Sequence, residues 1–407
     1  MAGPARFAAL ARLGLMVGGA LAAVTVDVAA IGATPSDVTL APAAAPVEAR
    51  WNSDALAKLV KVIEHARDEG LNPQDYNLAA LRQAMSGGTG PALDTLADAA
   101  ALTLAHDYYF GRVSDRSAMG WMIQRPQYEA AQLPERLAAA VRDGSIKDFY
   151  KALLPADARY GALRDALASA PDAGARDRIR ANMERWRWMP RRLGDDYLYV
   201  NVPSYRLQVI DHGTSLASYD VVVGAKDMPT PLLASPTSSL VVNPWWNVPA
   251  SIVKRSNLRP GAAGFQFKRT SDGWAVRQPP GPRNALGRIK FNLINDQAIY
   301  LHDTPAKRAF GRDERALSHG CIRVKDIDQL AAQLMQDGDG GARLDEALAN
   351  TSTETLPLPR TWQVYIVYFT MDADPAGGDL VSYGDPYGYD ARIIAALDGR
   401  PLEIASR

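Results

Sequence analysis

The sequence predicts an α+β fold class, with an all-helical N-terminal domain followed by a mainly β domain. Three observations predict it. Apolar residues recur at helical spacing between capping residues over 51–177. From 178 onward, short runs rich in aromatic and β-branched residues alternate with turn residues. The chain has 407 residues, enough for two or three domains of about 100–200 residues each.

Asn52 or Ser53 caps a first helix that carries Leu56, Leu59, Val60 and Ile63 on one face and ends at Gly70. Asn72-Pro73 marks the turn after it. Leu78–Met85 is a second short helix. Gly87 to Pro91 is a loop. Leu93–Phe110 is a long Ala/Leu-rich helix closed by Gly111, and Leu137–Val141 and Phe149–Leu154 begin further helices. The region holds no internal repeat and no convergent set of catalytic residue types. It reads as scaffold.

A helix from Asp177 to about Trp186 then gives way to strands. Tyr197–Val202 alternates and is rich in aromatic and β-branched residues. Leu207–Ile210 and Tyr219–Val223 form a hairpin about a polar turn at Asp211-His212-Gly213. Leu240–Val242 and Ile299–Leu301 are further strands, Asp326–Met335 is a helix, and Pro279–Pro282 is a loop. The mainly β domain is thus expected over 178–345. A strand at Val364–Thr370 and a helix at Ala391–Leu397 make an expected C-terminal strand/helix extension over 346–407.

Composition narrows the function classes. Lys+Arg and Asp+Glu balance at 45 each, so net charge offers nothing to hold a nucleic acid. Residues 1–33 read as an export signal. Arg6 and Arg12 supply positive charge, and Leu13–Val26 is an apolar run of 14 residues, short of the roughly 20 that span a bilayer. Ala-x-Ala patterns allow cleavage near Ala22 or around Ala30–Ala33. An uncleaved anchor is the other reading. Residues 34–50 read as a Pro/Ala-rich linker. Periplasmic export is the expectation, with one inner-membrane tether if the signal stays on. Cys321 is the only cysteine. It cannot form an intrachain disulfide, and its count alone fits an inert small hydrophobe as well as a reactive thiol.

The surrounding residues favour reactivity. Ser318-His319-Gly320-Cys321-Ile322-Arg323-Val324 places a glycine beside the thiol, where a tight turn can aim the amides of Gly320 and Cys321 at one spot as an oxyanion hole. Arg323 adds positive charge, which favours thiolate. A thiolate that attacks an amide needs a proton shuttle. His302 stands 19 residues upstream, directly after the Ile299–Leu301 run. Asp303 can orient its imidazole through a carboxylate or backbone oxygen. His319 is the second candidate; two residues from Cys321, it is better suited to holding the turn or contacting substrate. His65, His106 and His212 lie in helix or turn and carry no role. One cysteine and scattered histidines do not make a metal set.

At these residues the sequence resembles the L,D-transpeptidases of bacterial cell walls, which have the YkuD-like catalytic domain. His302, fifteen intervening residues, then Ser318-His319-Gly320-Cys321-Ile322-Arg323 follow that family's signature. Asn243–Pro249, Arg277–Gly287, Lys290-Phe291, Tyr300–Pro305 and Asn182–Pro190 are similar to its larger Gram-negative branch. Gly70–Tyr76 and Gly111–Val113 are similar to that branch's helical scaffold domain. The likeness covers roughly 51–400. It departs in two places. There is no room between Tyr160–Ala170 and Asp177 for a peptidoglycan-binding module, and the capping segment between Ser251 and Gly287 is short.

The resemblance implies an activity. Cys321 attacks the amide between the diamino acid and terminal D-Ala of a tetrapeptide stem, with His302 as proton acceptor and donor. A thioester forms, and an amine on a neighbouring stem resolves it as a 3→3 cross-link. Tyr300 is a second oxyanion-site candidate beside Gly320. Trp245, Trp246, Asn247, Ser318, His319 and Arg323 are the expected substrate contacts. No cofactor or metal is implied. Peptidoglycan stem peptides are the implied substrates, and glycan-polymerising synthases and D,D-carboxypeptidases the implied partners. A carbapenem adduct at Cys321 is the expected signature. Water as acceptor would make a carboxypeptidase or endopeptidase instead, and a wall-binding protein without catalysis is the remaining alternative.

Overall fold

The computed structural model describes residues 50–125, 128–271, 273–375 and 377–399. The expected signal peptide over 1–33 and the linker as far as residue 49 lie outside the described residues. Among those described, no helix is long and apolar enough to cross a membrane.

The first helices form where their caps and apolar stripes place them. Asn52 accepts from the Ala55 amide at 2.8 Å and starts α1 (Ser53–Glu64). A 3-10 turn carries the chain on to Gly70. α2 (Leu78–Met85) has the predicted bounds. α3 (Pro91–Phe110) begins two residues earlier than expected, because proline suits the first helical position. α4 (Tyr128–Ala131), α5 (Leu133–Arg142), α6 (Ile146–Leu153) and α7 (Ala158–Ala168) follow. Leu59, Ile63, Leu81, Leu104, Ile146 and Leu153 are fully buried in their shared core. Truncating one such leucine to alanine typically costs about 2–5 kcal/mol.

α8 (Ala173–Trp188) starts earlier than its predicted Asp177, with Asp172 accepting from the Ala175 amide at 2.8 Å. The expected border at 177/178 therefore falls inside a helix. α8 packs on α3 and α7 and also on the last helix of the chain. It buries three charged side chains, and each has a partner. Glu184 accepts from the Val113 amide at 2.8 Å and from Arg187 at 2.9 Å. Arg185 reaches Asp390 at 2.6 Å. Pairing is what makes such burial tolerable. The helical and β parts form one packed unit.

The β part opens with β1 (Tyr197–Asn201), β2 (Arg206–Asp211) and β3 (Thr214–Gly224). The predicted hairpin is β2–β3, turned at His212 and Gly213, both at positive φ. β4 (Ala234–Val242) and β5 (Trp246–Val248) precede α9 (Ala250–Arg255), β6 (Gln266–Thr270) and β7 (Gly273–Gln278). Then come β8 (Ile289–Phe291), β9 (Leu301–His302), β10 (Ala316–Ser318) and β11 (Ile322–Val324). α10 (Ile327–Leu334), α11 (Gly340–Ala349) and β12 (Glu354–Val367) follow, and β13 (Met371–Asp372), β14 (Val381–Ser382) and α12 (Tyr389–Leu397) end the chain as described.

Nine strands form one mixed sheet in the order β10-β3-β11-β9-β8-β4-β12-β1-β2, and β2 also pairs with β3. That second pairing closes the sheet into a barrel-like form. β5, β7 and β6 make a separate three-stranded sheet. α10 packs on β8 and buries Ile327, Leu330, Ala331 and Leu334.

Two expectations are corrected here. The segment from 346 is not an extension, because β12 lies between β4 and β1 in the middle of the sheet. Pro357 and Pro359 hid its first half, since proline is unusual within a central strand, and the pairing with β4 is irregular there. The strand expected at Ile299–Leu301 is instead Leu301–His302. The Asn295 side chain holds the chain before it as a loop, accepting from the amides of Gln297 and Ile299 at 3.0 Å.

Candidate active site

Three short strands carry the site. In the parallel β9–β11 pairing, Ile322 faces Leu301 and Arg323 faces His302. In the antiparallel β8–β9 pairing, Lys290 also faces His302. Side chains alternate between faces along a strand. Lys290, His302 and Arg323 therefore make a row on one face, while Phe291, Leu301 and Ile322 are buried on the other. Tyr300 and Cys321 stand two residues back along their strands and share the face of the row. All five residues line a single cleft of about 560 Å³.

The three-stranded sheet supplies the other wall. Trp245, Trp246 and Asn247 line the cleft from the start of β5. The Arg277 guanidinium lies 4.3 Å from the centre of the Trp245 ring, so the cation holds that aromatic face. Burial raises the Tyr300 phenol pKa, with Trp246 acting against the rise. Asn247 is exposed toward the cleft. The short capping segment nonetheless supplies α9 and the β6–β7 hairpin.

The turn before Cys321 is held by hydroxyls. Ser318 Oγ donates to the Cys321 carbonyl at 2.5 Å and accepts from the Gly320 amide at 3.2 Å. Thr230 Oγ1 donates to the Gly320 carbonyl at 2.7 Å. Gly320 sits at φ +108°, a conformation that side chains rarely adopt. Two expectations change as a result. The Gly320 amide is committed to Ser318 and is not an oxyanion donor in this arrangement. Ser318 is buried, and its hydroxyl serves the turn rather than a substrate. His319 is exposed on the cleft, its pKa lowered by desolvation and by the charges of Arg255 and Arg323.

His302 is buried, with Nδ1 2.5 Å from the carbonyl oxygen of Asp303. A carbonyl only accepts, so Nδ1 carries the proton and Nε2 keeps its lone pair. Burial lowers the imidazole pKa to about 3, helped by the cations of Arg323 and Lys290 and opposed by the Asp303 backbone. The Asp303 carboxylate is engaged elsewhere. It accepts from the Thr304 amide at 2.7 Å, the Arg288 amide at 2.9 Å and Lys307 Nζ at 2.5 Å. Of the two routes open in the sequence, Asp303 meets the imidazole through its backbone.

Cys321 is half-buried. Burial raises its thiol pKa, against hydrogen bonding from the backbone and side chain of Tyr300 and the charges of Lys290 and Arg323. The expectation that Arg323 tips the group to thiolate is corrected on this point, because burial outweighs the cations. The thiol donates to the Ala298 carbonyl at 3.6 Å. Lys290 went unread as a site residue in the sequence. Its Nζ lies 4.5 Å from the centre of the Tyr300 ring, and only the β8–β9 register brings it there. Asp196, Asp211 and His212 lie close enough to share an ion, but Arg360 already pairs with both carboxylates at 2.6 and 2.7 Å.

Residues 195–366 match the YkuD family, described as the L,D-transpeptidase catalytic domain, and residues 47–167 match the Scaffold domain family. A Haemophilus influenzae protein named "Putative L,D-transpeptidase" is 30% identical over 375 residues, which is 79% of this chain and 74% of that protein. This chain belongs to the L,D-transpeptidase family. Among solved structures, the L,D-transpeptidase from Mycobacterium smegmatis is similar at 13% identity and a TM-score of 0.23, over 42% of this chain and 58% of that one. A mutant of the Enterococcus faecium L,D-transpeptidase is similar at 12% identity and a TM-score of 0.20, over 42% of this chain and 50% of that one. The likeness thus spans between a half and three fifths of those chains. The catalytic-domain match runs into β12, in keeping with the central place of that strand.

Proposed function

We propose that the protein is an exported, periplasmic peptidoglycan L,D-transpeptidase that forms 3→3 cross-links through a thioester on Cys321. One observation carries the reading. The only thiol of the chain shares a capped cleft with a buried histidine whose Nδ1–H is fixed to a backbone carbonyl. That fixed tautomer leaves Nε2 as a base and excludes the ring from donating in its place.

The resting pair is a neutral thiol and a neutral imidazole, because burial disfavours charge on both. Proton transfer is therefore concerted with attack. Sγ bonds to the carbonyl carbon between the diamino acid and D-Ala of a tetrapeptide stem as its proton passes to His302. The C–N bond then breaks, and His302 returns the proton to the departing D-Ala amine. The oxyanion is met by the Tyr300 hydroxyl and by the Cys321 amide, which Ser318 does not hold. Lys290 and Arg323 favour the negative charge that develops. Trp245, Trp246, Asn247 and His319 contact the donor stem. A side-chain amine on a second stem then attacks the thioester, an amide forms, and sulfur leaves with the electron pair and regains a proton. No nucleotide is consumed.

Purified protein given a tetrapeptide-stem muropeptide tests this directly. Release of D-Ala together with a cross-linked dimer is the expected result. Tripeptide monomer without dimer would overturn the transferase reading in favour of a carboxypeptidase.

A further inference from the structure

A second depression, of about 600 Å³, opens on the far side of Arg323. Its walls come from the two segments that flank the catalytic pair. The turn Lys307–Gly311 follows closely on His302-Asp303-Thr304, and Leu317 immediately precedes the Ser318–Cys321 turn. Lys307, Arg308, Arg312 and Arg323 line it, and its described lining contains no Asp or Glu. Lys307 is drawn to Asp303 at 2.5 Å. Arg308 and Arg312 are exposed. Arg323 lines both this depression and the catalytic cleft, so the two meet at the residue opposite His302.

We propose that this basic depression binds the acceptor stem through its free carboxylate and delivers the acceptor amine to the Cys321 thioester. The proposal rests on the transpeptidase reading above. When the acceptor arrives, the acyl group already fills the cleft beneath the capping sheet, so the second peptide needs a separate approach to the same carbon. An acceptor stem is a peptide whose end carries a free carboxylate. Guanidinium groups match carboxylates with paired, charge-assisted hydrogen bonds. The one-signed field also concentrates such a peptide at the opening. The amine nitrogen bonds to the thioester carbonyl carbon, the C–S bond breaks, and the amine proton passes through His302 to the departing sulfur.

The test separates the two half-reactions in the full-length protein. Arg308→Ala/Arg312→Ala and the matching double lysine variant are compared with wild type. D-Ala release in the first turnover reports acylation, and dimer against tripeptide reports the acceptor. First-turnover release within about twofold of wild type is expected, since neither side chain lines the donor cleft. The alanine variant should show an acceptor KM raised about tenfold or more and a product shift toward tripeptide, as loss of a charged hydrogen bond predicts. The lysine variant should recover part of the loss, and an acceptor with an amidated carboxylate should not distinguish the proteins. An unchanged acceptor KM, or acylation falling in step with dimer formation, overturns the proposal while leaving the transpeptidase reading standing. Wild type that releases D-Ala and makes no dimer removes that reading and this proposal together.

Discussion

The Nδ1 of His302 hydrogen-bonds the backbone carbonyl of Asp303 at 2.5 Å, while the Asp303 carboxylate pairs with Lys307 and two backbone amides. The imidazole is thus oriented by main chain and not by the adjacent acid. Asp303→Asn should keep the carbonyl and reduce acylation by less than about tenfold. His302→Ala should reduce it by about 10²–10⁴-fold, the usual worth of a positioned general base. His319→Ala should fall well short of that. Single-turnover D-Ala release measures all three, and equal losses for the two histidines would mean the base is misassigned.

Cys321 is the only thiol, and it faces the cleft. Whole-protein mass after incubation with a carbapenem should show one adduct on wild type and none on Cys321→Ala. An adduct on the alanine variant, or none on either protein, would count against an activated thiol.

The pH dependence follows from the buried imidazole. The pKa of His302 is lowered from its ordinary 6.5 to about 3, so the imidazole is neutral throughout the range above pH 4. The rate of acylation should show no break near 6.5 and should rise toward alkaline pH as Cys321 loses its proton more readily. Linkage gives the matching stability effect. Below pH 6.5 the unfolded chain binds a proton at this residue that the native state does not take up until about pH 3. The contribution of His302 to stability is therefore present above 6.5 and is lost as pH falls from 6.5 to 3. Denaturant titrations of wild type and His302→Gln across that window check the sign.

Lys290 lies opposite His302 in the register and lowers the pKa of both His302 and Cys321. Lys290→Met should raise both. The rate of thiol alkylation by iodoacetamide should then shift its midpoint to higher pH, and the imidazole should titrate at a higher pH by NMR. An unmoved alkylation profile would show that the charge of Lys290 does not reach the sulfur.

Gly287 is at φ +61°, and a Cβ there would stand 2.2 Å from Asp303 Oδ2. Gly287→Ala must displace the carboxylate or strain the backbone. A loss of about 1–3 kcal/mol is expected, with acylation reduced because the same residue carries the carbonyl that fixes His302. Thermal melting and single-turnover rates report the two effects separately.

The sequence by itself determined the helical N-terminal part, the β2–β3 hairpin, and Cys321 and His302 as the candidate pair. Asn52, Gly70 and the apolar spacing of α1 are local signals, as is the Ser318–Cys321 turn, and local signals survive without a fold. Strands of two or three residues, such as β8, β9 and β11, are too short to show alternation, so their register lay beyond the sequence. That register sets Lys290 and Arg323 on either side of His302. Only the tertiary structure decided that Asp303 works through its carbonyl, that Ser318 occupies the Gly320 amide, and that β12 belongs at the centre of the sheet. Each of these depends on which segments distant in sequence come to lie side by side, and pairing across a sheet is fixed by the closed fold and not by any one stretch of chain.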